Sequence, residues 1–411
     1  MKCRHCGTEL SRPFLDLGVA PPSNAYVTAD RLRAAEVWYP LRLLVCESCW
    51  LVQTEDFVGR ESLFDADYAY FSSVSTSWLA HARRYVEAMI ARFDLDAGST
   101  VAEVAANDGY LLQYVAAAGI PCYGIEPTAS TAAAARSRGI EVLERFFGVG
   151  LADELAAAGR STDLMVANNV LAHVPDIDDF VAGFVRLLKP AGIATFEFPH
   201  LLRMVAESQF DTAYHEHYSY LSLTAVRRVL AANGLAIFDV EELPTHGGSL
   251  RVFAQRADGG VQATAPAVAA MLAEEATAGV ASWPFYAGFQ SRAESIKNDF
   301  LSFLIEARRR GDKVAAYGAA AKGNTLLNFA GVKPDLLSCV IDRAPSKQGK
   351  FMPGSHIPIV AEDHLRADRP DYVVLLPWNL RDEVSLQLRY LKEWGGRLVT
   401  AVPRLQILEL P

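Results

Sequence analysis

The sequence lacks a long apolar run, and its basic residues do not gather into a stripe. Its 411 residues include 39 Lys and Arg against 48 Asp and Glu, which gives a net charge of −9. This charge argues against a nucleic-acid partner, because such a surface must concentrate positive charge along the phosphates. A membrane-spanning helix needs about 20 apolar residues, and the start, MKCRHCG, is unlike a signal peptide. We therefore expect a cytoplasmic protein without a membrane partner, and no obligate protein partner is evident.

Cysteine is scarce, and four of the six cysteines lie in two Cys-x-x-Cys pairs. Cys3 and Cys6 form CRHC, and Cys46 and Cys49 form CESC. In a reducing compartment this pattern indicates a metal site rather than disulfides. Four thiolates close a tetrahedral shell around Zn²⁺ and leave no position open for catalysis, so we expect structural zinc. The alternative is a set of buried free thiols. His5, inside the first pair, is interpreted as a bystander.

A chain of this length exceeds what one hydrophobic core accommodates, and three blocks can be distinguished. Residues 1–70 show little helical periodicity and are predicted to be the zinc-binding domain. Residues 71–256 alternate strand-like and helix-like patterns, which predicts a doubly wound, mostly parallel sheet. Residues 257–411 begin with a long helical stretch and then repeat the strand–helix pattern, which predicts a second Rossmann-like domain. The expected fold class is therefore α/β.

The second block lacks the fingerprint G-x-G-x-x-G of pyrophosphate-binding turns. In VAEVAANDGYLL, Glu103 lies within a strand, and Asn107 and Gly109 follow in the turn. Glu126 ends the next strand, where a carboxylate accepts hydrogen bonds from the hydroxyls of a ribose. NAD enzymes and S-adenosylmethionine methyltransferases share this arrangement. The missing pyrophosphate cradle favours the methyl donor, and a purely structural turn is the alternative.

Two further turns bear on the cofactor. The third strand ends in NNVLAHV, where Asn168 and Asn169 precede an apolar wall that suits an adenosyl and a methionyl group. The third block contains another glycine turn, GAAAKG, with Asp342 after its next strand, and taken alone this indicates NAD. Lys322 inside that turn departs from the dinucleotide pattern. A structural or substrate-contacting role for the turn therefore stays open.

The run DTAYHEHYSYLS, residues 211–222, concentrates histidine and tyrosine between two helix-like segments. Such a run binds a metal, holds a core together or moves a proton. The metal interpretation is the weakest, because His215-x-His217 does not match H-E-x-x-H and no third ligand is obvious nearby. Packing and proton transfer both remain as interpretations.

Several motifs span essentially the whole chain in order. They are the repeated Cys-x-x-Cys pair, EVAANDGYLL, GIEPT, NNVLAHVPD, FDTAYHEHYSYLS, PTHGGSLR and AAYGAAAKGNTLLNF. Together they resemble the nucleotide-sugar C-methyltransferases of deoxysugar biosynthesis. The resemblance implies that S-adenosyl-L-methionine methylates a ring carbon next to the ketone of a TDP-linked 4-keto deoxysugar, commonly C-3. His215 stands where C-3 members carry aspartate, and both C-3 and C-5 flank a C-4 ketone. The methylated carbon therefore stays open.

Carbon next to a carbonyl becomes a nucleophile only after losing a proton, so the enzyme needs a base and donors for the enolate oxygen. The resemblance implies that His217 is the base and that Tyr214 holds the enolate oxygen or the sugar ring. It also implies that Glu216 orients or tunes an imidazole. His173, after the third strand, would be a hydrogen-bond donor or the rival base. A loop suits this set better than a strand, in which Glu216 and His217 would face opposite sides.

Substrate contacts and the overall function each have alternatives. Tyr68 in DADYAYFSS contacts the nucleotide-sugar by resemblance, although the same cluster suits an ordinary domain junction. The anionic diphosphate needs cations or backbone donors, for which Lys322, Lys347 and Arg251 are the candidates. The alternative functions are an NAD-dependent oxidoreductase using the third block, a sugar O-methyltransferase, and a non-catalytic module that binds zinc and nucleotides.

Overall fold

The computed structural model describes residues 1–63 and 71–411. This part of the chain contains three β-sheets with helices packed around them, which confirms the predicted α/β class. The predicted substrate contact Tyr68 lies outside the described residues. Within the two described ranges, no helix combines the length and the apolar character that a bilayer crossing requires.

The first sheet belongs to the N-terminal block. Its first three strands are β1 (Pro13–Ala20), β2 (Tyr39–Val45) and β3 (Val52–Thr54), and the short helix α1 (Arg60–Leu63) follows them. Neighbouring strands run antiparallel. Leu15 and Leu17 on β1 and Leu43 on β2 are buried, because alternate positions of a strand face the core.

The second sheet forms the core of the middle block. Its strands are β4 (Val101–Val104), β5 (Cys122–Ile125), β6 (Val142–Leu143), β7 (Thr162–Asn168), β8 (Leu188–Pro199), β10 (Leu235–Leu243) and β11 (Ser249–Arg256). Their order is β10-β11-β8-β7-β4-β5-β6. The strands β4 to β8 are mutually parallel, whereas β10 and β11 are antiparallel additions at one edge. The central strands are largely apolar because helices cover both faces, with Glu103 in β4 and Glu197 in β8 as exceptions.

The middle block contributes most of the helices that surround this sheet. They are α2 (Thr76–Phe93), α3 (Leu112–Ala117), α4 (Ala129–Ser137), α5 (Val149–Ala157), α6 (Ile177–Leu187), α7 (Leu201–Ala206) and α8 (Leu223–Ala232). Helix α2 begins where the Ser75 hydroxyl accepts a hydrogen bond from the Trp78 amide, a typical N-cap. The cap directs α2 across the carboxyl ends of the strands.

The remaining strand of the middle block belongs to the N-terminal sheet. It is β9 (Ser219–Tyr220), and it pairs antiparallel with β3 as the fourth strand of the N-terminal sheet. Because β9 directly follows the histidine-rich part of the 211–222 run, this pairing ties the run to the zinc-binding block.

The third sheet has the order β14-β13-β12-β15-β16-β17 and is parallel except for β17. Its strands are β12 (Val314–Tyr317), β13 (Val340–Ile341), β14 (Ile359–Val360), β15 (Tyr372–Leu375), β16 (Arg397–Thr400) and β17 (Gln406–Leu408). The helices of this block are α9 (Pro266–Ala278), α10 (Trp283–Tyr286), α11 (Phe289–Arg310), α12 (Ala321–Phe329), α13 (Asp363–Asp368) and α14 (Arg381–Gln387). The predicted second Rossmann-like domain is therefore present.

The helix α9 begins the third block in sequence but packs on the middle block. Its buried Glu275 accepts hydrogen bonds from the amides of Leu223 (2.6 Å) and Thr224 (2.7 Å) at the start of α8. A carboxylate at a helix N-terminus satisfies donors that have no partner within the helix. The domain boundaries at residues 70 and 256 stay predictions.

Candidate active site and metal site

The four cysteines of the two Cys-x-x-Cys pairs form one cluster. Their sulfur atoms all lie within 4.8 Å of one another. The closest sulfurs belong to different pairs, with 3.6 Å between Cys3 and Cys49 and 3.4 Å between Cys6 and Cys46. Four thiolates around tetrahedral Zn²⁺ lie about 3.8 Å apart, since each Zn–S bond is about 2.3 Å. The donor set and its spacing therefore fit one structural zinc ion.

The two residues inside the first pair connect the cluster to the middle block, and His5 is not one of the four clustered ligands. The His5 ring bonds the Asp178 carboxylate at 2.8 Å. The Arg4 guanidinium donates to the carbonyl oxygens of Pro175 (2.9 Å) and Thr54 (3.0 Å). Pro175 and Asp178 follow His173 directly in the chain. The cysteine cluster therefore holds the segment that carries this histidine.

Replacing Arg4 with alanine should lower the free energy of unfolding by about 2–4 kcal/mol, because the buried Thr54 carbonyl and the half-buried Pro175 carbonyl lose their charged donor. The Arg4 side chain is only 4% exposed. Urea denaturation measures this loss, and metal analysis should still find one zinc per chain. Arg83→Ala is the matched control, because Arg83 is 66% exposed and its pairing with Glu87 should contribute about 0–1 kcal/mol. Equal losses in both variants would contradict the assigned role.

A cavity of about 1340 Å³ opens between the three blocks. The carboxyl ends of the parallel strands in the second and third sheets border it, which is where ligands bind in such sheets. The N-terminal block contributes Asn24 to its lining, and the 211–222 run contributes Thr212, Tyr214 and His217. One space is therefore large enough for two ligands side by side.

Glu126 organises the part of the cavity next to β4 and β5. Its carboxylate accepts hydrogen bonds from the backbone amides of Asn107 and Thr128, both at 2.9 Å. Burial raises the pKa of Glu126 above its usual value. A carboxylate fixed in this way still has lone pairs for the two hydroxyls of a ribose. Its position therefore fits a nucleoside.

Two asparagines after β7 present unsatisfied amides to the same cavity. The side-chain oxygen and nitrogen of both Asn168 and Asn169 are sealed from solvent and have no hydrogen-bond partner among the described residues. Asn169 has a φ of 54°, in the left-handed region that residues other than glycine rarely adopt. Because buried amides are almost always paired in folded proteins, these groups indicate a ligand.

Two predicted cofactor contacts lie away from the cavity lining. Gly109 has a φ of +76°, and a Cβ there would lie 3.3 Å from the side chains of Ala135 and Ile140. Its glycine is needed for backbone conformation and packing. Glu103 points into the interior of the sheet, and burial raises its pKa well above the usual value. The prediction that these two residues contact the ligand directly is therefore corrected. They support the turn from beneath.

His217 and Tyr214 form a hydrogen-bonded pair on the cavity wall. His217 Nδ1 donates to the carbonyl oxygen of Thr212 at 3.2 Å, since a carbonyl can only accept. The other ring nitrogen, Nε2, therefore carries the lone pair, and it accepts from the Tyr214 hydroxyl at 2.7 Å. Burial lowers the pKa of His217 well below its usual value, and the neighbouring His173 lowers it further. His217 is thus a neutral proton acceptor.

His173 lies next to this pair. Its ring centroid is 4.6 Å from that of His217, and its Nδ1 donates to the backbone oxygen of Glu216 at 2.7 Å. Burial lowers the pKa of His173 to about 4, so this ring is also neutral at physiological pH. Its Nε2 therefore carries a lone pair, and both predicted bases line the same cavity.

Glu216 contacts these imidazoles only through its backbone. Its buried carboxylate accepts hydrogen bonds from the backbone amide (3.1 Å) and the side-chain amide (3.2 Å) of Asn24. Burial raises the pKa of Glu216. The expected carboxylate–imidazole pair is therefore corrected, because the carboxylate turns toward the N-terminal block. Glu216 positions His173 through its carbonyl oxygen instead.

All three blocks hold the 211–222 run. From the N-terminal block, the Thr54 hydroxyl donates to the His217 carbonyl at 3.1 Å. From the third block, the Trp378 indole donates to the Asp211 carboxylate at 2.8 Å. Residues 213–218 form an irregular loop, as their mixed roles favoured. The geometry of the proton acceptors therefore depends on contacts far apart in sequence.

The predicted cations differ in availability. Arg251 lines the cavity and is paired with Glu197 (2.8 Å) and Glu241 (3.0 Å), which compensate its charge, so its phosphate contact stays a prediction. Lys322 lines the cavity and donates to the His246 carbonyl and the Asn379 side chain, both at 3.2 Å. Burial lowers the pKa of Lys322 to about 8. An ammonium has three N–H donors, and these two hydrogen bonds use two of them.

Lys347 also lines the cavity, on the side of the third sheet. Its ammonium donates to the Ala319 carbonyl at 2.8 Å and lies 3.5 Å from the Asp342 carboxylate. Burial opposes its charge, but Tyr26 and Asp342 together raise the pKa of Lys347. The carboxylate of Asp342 is itself held by the backbone amides of Ala319 (2.7 Å) and Ala344 (2.8 Å). A charged lysine therefore remains at this wall.

Sequence reasoning missed a second group of residues on the cavity wall. Trp78 on α2 stacks on the His81 ring at 4.8 Å between centroids, and the His81 ring bonds Glu197 at 3.0 Å. Glu197 could have indicated this group from the sequence, because a charged residue in the apolar strand IATFEFP needs a partner. Its partner Arg251 lies directly opposite on β11, a register that periodicity does not reveal.

The cavity contains a nucleoside site that lacks a pyrophosphate-binding loop. Its wall also carries the neutral proton acceptors His173 and His217. This combination defines an S-adenosylmethionine-dependent methyltransferase. The chain belongs to the zinc-binding C-methyltransferase family. It is 32% identical to the C-methyltransferase NovU of Streptomyces niveus over 407 residues, which cover 99% of this chain and 96% of that protein.

Three family models match successive parts of the chain. They are described as "Putative zinc binding domain" (residues 3–64), "Methyltransferase domain" (78–240) and "C-methyltransferase C-terminal domain" (244–403). An uncharacterized methyltransferase of Mycobacterium ulcerans is 30% identical over 30% of this chain and 45% of its own length. The solved structure of 1,6-didemethyltoxoflavin-N1-methyltransferase from Burkholderia thailandensis covers 51% of this chain and 95% of its own, at 16% identity and a TM-score of 0.38. The full-length match establishes a C-methyltransferase that uses S-adenosylmethionine.

Proposed function

We propose that the enzyme methylates the carbon next to the ketone of a TDP-linked 4-keto deoxysugar, at C-3. The observation that carries this proposal is the neutral His217, whose Nε2 lone pair lies in the same cavity as the nucleoside site. A C-methyltransferase must create a carbon nucleophile, and a ketone makes the adjacent carbon acidic enough for an imidazole to deprotonate. The match to the C-methyltransferase NovU supports methyl transfer to a carbon atom. The cytoplasmic location stays a prediction.

Glu126, Asn107, Asn168 and Asn169 are the residues that would hold S-adenosylmethionine. The Glu126 carboxylate would accept from the ribose hydroxyls, and the four orphaned amide atoms of the two asparagines would pair with the methionyl end. When bound, the cofactor supplies an electrophilic methyl group. His173, which follows β7, and His217, from the 211–222 run, line the same cavity as these cofactor-binding residues.

His217 would remove the proton from the ring carbon. The C–H electrons then form the enolate, and the proton moves to Nε2, which the Tyr214 hydroxyl must first release. The lowered pKa of His217 keeps the ring neutral before the reaction. Negative charge that develops on the enolate oxygen favours the imidazolium in turn, because opposite charges close together stabilise each other. Burial thus suppresses protonation until substrate is bound.

The enolate oxygen needs a hydrogen-bond donor, and Tyr214 is the best placed for this role. Once its hydroxyl leaves Nε2, it can turn to the ketone oxygen without a large movement of its ring, which lies 4.0 Å from the His217 ring. His173 is the alternative base, with the same tautomer and a similar burial. Lys322 and Lys347 are the cations that we propose for the diphosphate, since both line the cavity.

Solvent exchange tests the carbon-acid chemistry directly. Incubation of the TDP-4-keto deoxysugar with enzyme and S-adenosylhomocysteine in D₂O should place deuterium at C-3, because proton removal precedes methyl transfer. Proton NMR of the sugar measures the exchange, and NMR of the methylated product locates the new carbon–carbon bond. A sample without enzyme is the control for spontaneous exchange.

Two outcomes would contradict the proposal. Exchange and methylation confined to C-5 would refute the assigned carbon. Turnover without any enzyme-dependent exchange, with His217→Asn fully active, would refute proton removal by this residue.

A further inference from the structure

The loop Pro244–Ser249, PTHGGS, connects β10 to β11 and carries a histidine into the cavity. His246 has φ 56° and ψ 17°, a left-handed conformation that is unfavourable for a residue with a side chain. Strained positions of this kind persist where the surrounding structure enforces them, and they concentrate at ligand-binding sites. No step described above uses this residue.

The His246 ring is a polar group without a partner. Neither of its nitrogens makes a hydrogen bond among the described residues, and Nδ1 is sealed from solvent. Burial lowers the pKa of His246 to about 4, so the ring is neutral and can both donate and accept. Its neighbour is the Trp78 ring, which meets it edge to face at 5.2 Å between centroids. The open side of the imidazole therefore faces the cavity.

The loop is held in place from the third block. A Cβ on Gly247 would lie 2.5 Å from the Trp378 ring, and one on Gly248 would lie 2.8 Å from the Arg203 side chain. Lys322 donates to the His246 carbonyl at 3.2 Å. These close approaches pack the loop against residues of the middle and third blocks. Of these contacting residues, Lys322 also lines the cavity.

We infer that His246 binds an oxygen substituent of the acceptor sugar and so orients the ring against His217. The inference rests on the proposed function and extends it to a further substrate-binding residue. Lys322 lowers the pKa of His246 and the nearby Glu197 carboxylate raises it. A neutral imidazole is suited to a hydroxyl or keto oxygen, because it can either donate or accept a hydrogen bond.

His246→Gly separates the ring from the backbone strain, because glycine adopts a positive φ freely. The variant should fold with an unchanged or higher melting temperature. Its KM for the sugar nucleotide should rise about tenfold, as loss of one hydrogen bond to substrate implies. The Kd for S-adenosylmethionine, measured by calorimetry, should stay within twofold. Added imidazole should restore part of the lost affinity.

His356→Gly is the matched control. His356 has the same φ of 56°, but its ring bonds the Glu36 carboxylate at 3.1 Å and lies outside the cavity lining. Its sugar KM should equal that of the wild type. An unchanged KM in His246→Gly, or a weaker cofactor Kd with a normal sugar KM, would overturn the inference.

Failure of the proposed function gives a different result. In that case the wild type itself does not methylate the TDP-4-keto deoxysugar, and the two glycine variants are compared on the carbonyl substrate that it does methylate. A ratio of KM values near one on that substrate again overturns the role of His246.

Discussion

His217→Asn should reduce the rate of methyl transfer by about 100- to 10,000-fold, the range expected when a general base is removed. Asparagine fills a similar volume and can still donate to the Thr212 carbonyl, but it has no basic lone pair in place of Nε2. Cofactor binding should stay within twofold, because Glu126 and the asparagines after β7 lie on a different part of the cavity wall. Single-turnover rates and calorimetry measure the two quantities.

His215→Asn is the control for this experiment. His215 is buried two residues away, and its Nε2 donates to the carbonyl oxygen of Pro40 at 3.2 Å, toward the N-terminal block. It should retain a rate within a few-fold of the wild type, with some loss of stability. His173→Asn completes the set. If it loses more activity and more D₂O exchange than His217→Asn, His173 is the base and our assignment is wrong.

Loss of the zinc ligand Cys46 should have the second large effect. Cys46→Ser should abolish zinc binding and unfold the N-terminal sheet, since structural zinc in small domains contributes about 10–16 kcal/mol of apparent binding free energy. Activity should fall with it, because β3 pairs with β9 and Thr54 holds the His217 carbonyl. Metal analysis, thermal denaturation and the methyl-transfer rate report the three consequences.

Cys122→Ser provides the comparison for a cysteine outside the cluster. Cys122 begins β5 and is half-buried, far from the other sulfurs in the fold. It should keep one zinc per chain and near-normal activity. A zinc-free protein with the melting temperature and activity of the wild type would show that the cluster has no structural role.

Local patterns were sufficient for some features. The spacing of CRHC and CESC predicted four clustered sulfurs, and the strand ending at Glu126 predicted a carboxylate at the cavity. Both follow from short-range rules: a tight turn brings two cysteines together, and a parallel strand delivers its last residue to the ligand-binding edge. The same rules predicted a ligand contact for Gly109, but its positive φ is explained by packing of the turn.

Local sequence patterns could not predict side-chain partners that lie far apart in the sequence. Arg251 looked available for a phosphate, but the register of β11 against β8 places it opposite Glu197. Glu216 looked like a partner for an imidazole, but the N-terminal block places Asn24 against its carboxylate. In each case the residue type was known from the sequence. The partner of its side chain depended on tertiary packing.

The sequence alone therefore determined the α/β class, the metal ligands and the kind of chemistry, because residue type and spacing set what a turn or strand end can do. Only the tertiary structure decided which histidine nitrogens carry lone pairs, which carboxylates lie next to the cations and where the His246 ring is placed. Those properties depend on burial and on contacts between blocks. They arise when the three sheets meet around one cavity, where water is excluded and every polar group must find its partner within the protein or in a ligand.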